Sequence, residues 1–302
     1  MASARFYPYA QTINGTTYSG IRGYSINPNT SKSVMGHDGS VDPTHACVLD
    51  QNAAISTRTV DIANVLAAVG LDGLAITELT TFFRNGEDCG LRDTGDTHVK
   101  TVATSGCIVM RPLRASDNQV VEAEVEAFLK SSNGLTDPLT ISFDQALTGA
   151  ISEVAHYTLG PVFVTPDGGE RTRITVSEWE YDPGINIDSD TNDGVPYPTY
   201  IGIDSREPKA SLTTPDIRHV QTINLAGKTG SMELFLRKLS EDGLRVSEAT
   251  AEHIKITIPD AHMTTDAMNA EQEGRGSAST MADATYNGSN AISTLSFGVA
   301  IA

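Results

Sequence analysis

The densest run of oxygen donors in the chain is DSDTNDGVPYPTY, residues 188 to 200. Asp188, Asp190 and Asn192 alternate and are followed by Asp193-Gly194, a spacing that resembles a calcium loop, in which carboxylates and carbonyls replace the water around a hard cation. Two positions break that pattern. The sixth is Asp193 where the sharp turn needs glycine, and the twelfth is Thr199 where a bidentate glutamate closes the site. The alternating runs on either side predict strands instead, and Asp-Gly tolerates the positive φ of a hairpin turn. The acidic loop 188–194 is therefore expected to be a hairpin tip, and no metal is assigned to it.

Other motifs weaken in the same way. AGKTGS (226–231) has the end of a phosphate loop, but position 222 is Thr222 where the upstream glycine belongs, so a loop after a helix is expected. His98 and His253 each precede a β-branched residue and a lysine, with no nucleophile or carboxylate motif beside them. They are expected to be structural strand residues, and His253 and His262 are too isolated for a zinc site. Cys47, Cys89 and Cys107 form no CxxC pair and predict free thiols in a reducing compartment. Asn14-Gly15-Thr16 and Asn287-Gly288-Ser289 fit a glycosylation pattern that is idle without secretion. Glu122, Glu124 and Glu126 alternate as the solvated side of a strand. With no nucleophile elbow, metal-ligand helix or dinucleotide fingerprint, no catalytic, cofactor-binding or metal residue is assigned and an enzyme is not expected.

The 302 residues carry a formal charge of −17, with a sequence pI near 4.7. Residues 1–150 hold 10 basic and 16 acidic side chains, and the remainder 11 and 22. Such a surface repels phosphate, which argues against anchoring to nucleic acid but suits a surface past which it slides. Apolar residues make up 39% and charged residues 20%, a globular composition. No apolar run approaches the roughly 20 residues of a membrane helix, and MASARFYPYAQT lacks a signal-peptide core. Neither Sec export nor membrane insertion is expected.

The chain resembles itself. Shifted by 155 positions, GHDGSVDPTHACVLDQNAAISTRTVDI from Gly36 falls without a gap on TNDGVPYPTYIGIDSREPKASLTTPDI from Thr191. Pro43-Thr44 meets Pro198-Thr199, Ser56 meets Ser211, and Thr59, Asp61 and Ile62 meet Thr214, Asp216 and Ile217. Upstream, Tyr24 meets Trp179; downstream, Arg84, His98 and NGLTDPLTISF meet Arg237, His253 and NGSNAISTLSF. An ordered series at nearly constant offset predicts a tandem duplication, with domains at 1–150 and 151–302.

Each copy opens with alternating β-type runs, such as RITVSEWEY. After Thr-x-Asp-Ile the period changes. Ile62, Val65, Leu66 and Val69 fall on one helical face behind Asp61 as N-cap, and DIRHVQTINLAG repeats this with Ile217, Val220 and Ile223. Each copy is expected to close with a hairpin whose turn is Asn133-Gly134 or Asn287-Gly288. The fold class expected is mostly β, a sandwich or barrel with one short flanking helix per copy.

The order DG-x3-PT, β-run, S-x2-T-x-DI and helix, with YTLGPVFVTPDGG and TVSEWEYDPGI, resembles the major tail tube proteins of long-tailed bacteriophages, here with the tube domain duplicated. The resemblance covers nearly the whole chain and rests on structural patterns. It implies self-association into homotrimeric, pseudo-hexameric rings whose inner sheets form one barrel, and rings stacked into a tube. It also implies other tail proteins as partners, an acidic channel with DNA only as transiting cargo, and a virion location after synthesis in the host bacterial cytoplasm. The alternatives are another virion β protein (capsid decoration, baseplate or fibre component) and a carbohydrate-binding tandem sandwich. The last would need exposed aromatic platforms, and Trp179 is the sole tryptophan.

Overall fold

A computed structural model describes residues 6–35, 45–85, 98–146, 153–191, 194–219, 223, 227–269, 276–286, 288–289 and 291–301. In the first half, β1 (Phe6–Ile13), β2 (Thr16–Tyr18), β3 (Ile21–Asn27), β4 (Thr30–Met35), β5 (His45–Gln51) and β6 (Ala54–Thr59) precede helix α1 (Ile62–Val69). Then come β7 (Leu74–Ile76), β8 (Leu79–Asn85), β9 (His98–Ala103), β10 (Gly106–Met110), β11 (Leu113–Ser116), β12 (Ala123–Leu129) and β13 (Leu139–Gln145). The second half has β14 (Tyr157–Pro166), β15 (Thr172–Ile174), β16 (Glu178–Asp182), β17 (Ile185–Asp190), β18 (Tyr200–Arg206) and β19 (Lys209–Thr214). A 3-10 turn (Ile217–His219) follows, then β20 (Lys228–Lys238), β21 (His253–Asn269), β22 (Ser277–Ala284) and β23 (Thr294–Val299). The fold is mostly β, as the alternating runs predict.

Strand order is shared by the halves. The first half has two five-stranded sheets, β13-β9-β8-β1-β2 and β3-β6-β12-β10-β7. The second half supplies eight strands of one nine-stranded sheet, β11-β16-β19-β22-β21-β20-β14-β15 with β23 also on β21, in which the edge strand β11 comes from the first half. The run β23-β21-β20-β14-β15 follows the order of the first sheet, and β16-β19-β22-β21 follows the second. Two ribbons, β4-β5 and β17-β18, stand apart from the sheets. The bounds of β4, β5 and β6 reappear 155 residues later as those of β17, β18 and β19. Register agrees too: Ser56 opposes Glu126, which opposes Val109, while Ser211 opposes Met281, which opposes Thr264.

Residue by residue, the chemistry behind the shared pattern is visible. Thr59 Oγ1 donates to Ser19 O at 2.5 Å and accepts the Asp61 N–H at 3.0 Å. Thr214 Oγ1 donates to Thr175 O at 2.7 Å and accepts the Asp216 N–H at 3.1 Å. Thr-x-Asp thus turns the chain out of a strand by satisfying buried backbone groups. One apolar cluster runs through both halves, from Ile13, Ile62, Leu66 and Ile108 to Trp179, Leu234 and Ile256. Helix α1 buries Ile62, Val65, Leu66 and Val69, the predicted face, at roughly 1.5–3 kcal/mol per side chain.

Several expectations need correction. Asp61 occupies the N-cap position of α1 without a side-chain cap; its carboxylate instead accepts the Ser19 N–H and an Asn64 amide proton, each at 3.1 Å. In the second half, Ile217–His219 form a 3-10 turn and Ile223 is helical and buried, as expected of that stretch; Val220 lies outside the described residues. Arg218, where the first half has Ala63, draws the Asp216 carboxylate back onto its guanidinium, 2.8 Å from Nε. That contact holds the carboxyl well below its usual range. The expected closing hairpins are not formed. β12 pairs with β6 and β10, whereas β13 pairs with β9; β22 and β23 likewise pair with other strands. Asn133 Oδ1 accepts the N–H groups of Leu135 and Thr136 in a turn that carries the chain from one sheet to the other. Asn287 lies outside the described residues. Lys228 to Ser231 of the phosphate-loop-like stretch begin strand β20, where sheet pairing occupies the backbone.

Candidate functional site

The acidic stretch resolves as predicted in part. Asp188 and Asp190 lie on β17 of a two-stranded ribbon with exposed side chains, and Asn192 and Asp193 lie outside the described residues. Among the described residues no group of three His, Cys, Asp or Glu side chains could hold a metal ion. His98 and His253 are buried strand residues. His253 Nδ1 accepts the Lys238 N–H at 3.2 Å and Nε2 meets Ser247 O at 3.0 Å, so the neutral ring carries its proton on Nε2. His98 Nδ1 accepts the Asn85 N–H at 3.1 Å in the matching place. Cys47 and Cys107 are free thiols; burial pushes the Cys107 thiol upward, which disfavours its reactive thiolate, and Cys89 lies outside the described residues. Asn14 spends its side-chain amide on Ala75 O, Thr77 and Glu78. Glu124 accepts from Ser56 Oγ at 2.7 Å and Glu126 pairs with Arg111, so both are partly engaged rather than simply solvated. Trp179 is fully buried, part of the core and no binding platform.

The most developed surface is the junction between the halves. Ribbon β17-β18 lies across the outer face of β10 and β12. Ile185, Ile187 and Ile201 pack against Cys107, Val109 and Phe128. Val109 is 0% exposed although it points away from the main core. The loop after β17 adds backbone bonds: Gln51 N–H to Pro196 O at 2.7 Å, Ser131 N–H to Pro198 O at 2.8 Å and Tyr197 N–H to Gly134 O at 3.1 Å. Asn52 Nδ2 donates to Ser189 Oγ at 3.1 Å, and Arg206 pairs with Asp72 at 2.5 Å.

In the opposite direction, β11 of the first half adds an antiparallel strand to the edge of β16, placing Leu113 opposite Tyr181 and Ala115 opposite Trp179. Arg114 bonds Glu178 at 2.6 Å, which raises the guanidinium pKa further. Tyr181, buried with its hydroxyl donating to Ser293 Oγ at 2.8 Å, is pushed up to about 12 by desolvation. The junction is therefore heterologous: one half offers a sheet face and a strand, the other a ribbon and a strand edge.

Sequence reasoning missed this junction, yet a signal was there. Strand β10 reads GCIVM, apolar on both faces, which in a single-layer reading is unexplained and in fact means both faces are covered. No protein-family model matches the chain, and no curated protein matches it. Among the described residues no helix is long and apolar enough to cross a membrane.

Proposed function

We propose that the chain is a structural virion protein, the major tail tube subunit of a long-tailed phage, formed from two copies of one β domain at 1–150 and 151–302. The observation that carries the reading is the shared strand order of the halves together with a junction of heterologous type. Such a contact, repeated from chain to chain, generates a ring when the rotation closes. Three chains would supply six domains. Strand β3 ends its sheet, while the corresponding β16 is covered by β11; ring closure removes that edge. The net charge of −17 suits a conduit that repels phosphate while DNA passes.

Native mass measurement and negative-stain electron microscopy of the purified chain test the reading. Trimers, rings with sixfold-like end views or hollow tubes are expected. A chain that stays monomeric at high concentration and binds pre-formed capsids would replace it with a decoration protein. Binding to glycans would remove the virion account altogether.

A further inference from the structure

The junction exists once within the chain, but its two component surfaces exist twice. In the first half the outer face of β10 and β12 is covered by ribbon β17-β18. The same face in the second half, on β21 and β22, is open. Strand pairing maps Cys107, Val109, Glu126 and Phe128 onto His262, Thr264, Met281 and Asp283, each 155 residues later. Where Val109 is 0% exposed, Thr264 is half-buried; where Cys107 is 6% exposed, His262 is exposed, as is Met281 at 37%. Correspondingly, the first-half ribbon β4-β5 is bare. Val34 is 58% and Val48 46% exposed, whereas on the covered ribbon Ile185 is 8% exposed, Ile187 is half-buried, and Ile203, the counterpart of Val48, is 38% exposed.

We infer that ribbon β4-β5 of one chain seats on the β21-β22 face of a second copy, with Lys32 against Asp283. Lys32 is the counterpart of Ile187, and Asp283 that of Phe128. Those two side chains belong to one apolar cluster within the chain. Between chains the pair is instead a cation and a carboxylate, which are complementary. Val34 and Val48 stand on the same ribbon face as Lys32, and Val48 falls towards Thr264, because its counterpart Ile203 and Val109 both approach Gly73. Asp283 already lies 4.0 Å from Lys209 Nζ, with both side chains about half exposed, so it remains free to take a second cation.

The two junctions would then share geometry but not chemistry. An apolar contact joins halves that never separate, and a charged one joins chains that must meet in solution. Opposite charges steer association and oppose a half docking on the wrong face. This inference rests on the reading of the chain as a self-assembling subunit.

The test is assembly of the full chain, followed by native mass measurement against concentration at low and high salt. Lys32→Glu and Asp283→Lys should each raise the concentration needed for assembly by about ten-fold or more, and the double variant should recover it, since like charges in contact are strongly disfavoured. Lys32 lies on an exposed ribbon, so its reversal leaves the fold intact. As a second measurement, chains carrying only Lys32→Cys are mixed with differently tagged chains carrying only Asp283→Cys; an oxidised disulfide between the two tags, located by peptide mass, is expected. Wild-type assembly that is indifferent to both reversals, with no such disulfide, overturns the inference and leaves the subunit reading standing. A wild-type chain that never self-associates overturns both.

Discussion

Removing His253 should cost more stability than its size suggests. The ring is fully buried, accepts the Lys238 N–H on Nδ1 and donates from Nε2 to Ser247 O. In His253→Ala both backbone groups lose their partner, at about 1–3 kcal/mol each, and the missing ring leaves a cavity worth a further loss of about 2 kcal/mol or more. A total of about 4–8 kcal/mol is comparable with the whole stability of many domains, about 5–15 kcal/mol. His253→Asn retains an acceptor near Nδ1 and His253→Gln a donor near Nε2, so each should recover about 1–3 kcal/mol relative to alanine. Urea unfolding at pH 7.5, followed by the fluorescence of buried Trp179, the sole tryptophan, measures all three. If alanine costs under about 1 kcal/mol, or if Asn and Gln are as destabilised as alanine, the hydrogen-bond account of this residue fails.

Thr59→Val and Thr214→Val remove hydroxyls that each bridge a carbonyl and an N–H, and should each lower unfolding free energy by about 1–3 kcal/mol in the same assay. Glu248 is held below its ordinary value by a bidentate bond to Arg173, at 2.7 and 2.8 Å. Its stabilisation is therefore complete above the ordinary carboxylate range and lost as pH falls through the depressed folded value. Because the pair is partly solvated its worth is at most about 1 kcal/mol, and Glu248→Gln should flatten the acid limb of a melting-temperature–pH profile slightly. Tyr181, pushed up to about 12, stabilises the fold below the ordinary phenol value and ceases to do so as pH rises through the folded one. The 295 nm difference between wild type and Tyr181→Phe should stay flat to pH 11 while the chain remains folded.

Much of the architecture is legible in local chemistry. Alternation marks β16, the change of period after Thr-x-Asp-Ile marks α1, and the 155-residue spacing puts the ribbons in matching places. What escapes is non-local. Strand periodicity says which faces are buried but not which strand lies alongside, so β12 and β13 look like a hairpin although they belong to different sheets. Pro259 looks like the end of a strand, yet β21 runs through it. Pairing with β23 ends at Thr257 and pairing with β22 begins at Ala261, so the missing N–H falls between the two ladders. The junction hid for a similar reason: its apolar residues are four separate short runs that meet only in space, and only the two-faced GCIVM of β10 betrays a cover.

The unbroken β21 also makes the halves mechanically unequal. Its 17 residues, roughly 55–60 Å end to end, pair with β20, β22 and β23 and tie both ends of the second half into one sheet. In the first half the corresponding path is cut between Ala103 and Gly106, leaving two sheets joined by a turn. Under load the second half must shear many hydrogen bonds together, whereas the first can flex at that turn. A filament of such chains would alternate stiff and compliant segments along its circumference, and strain would gather in the compliant ones.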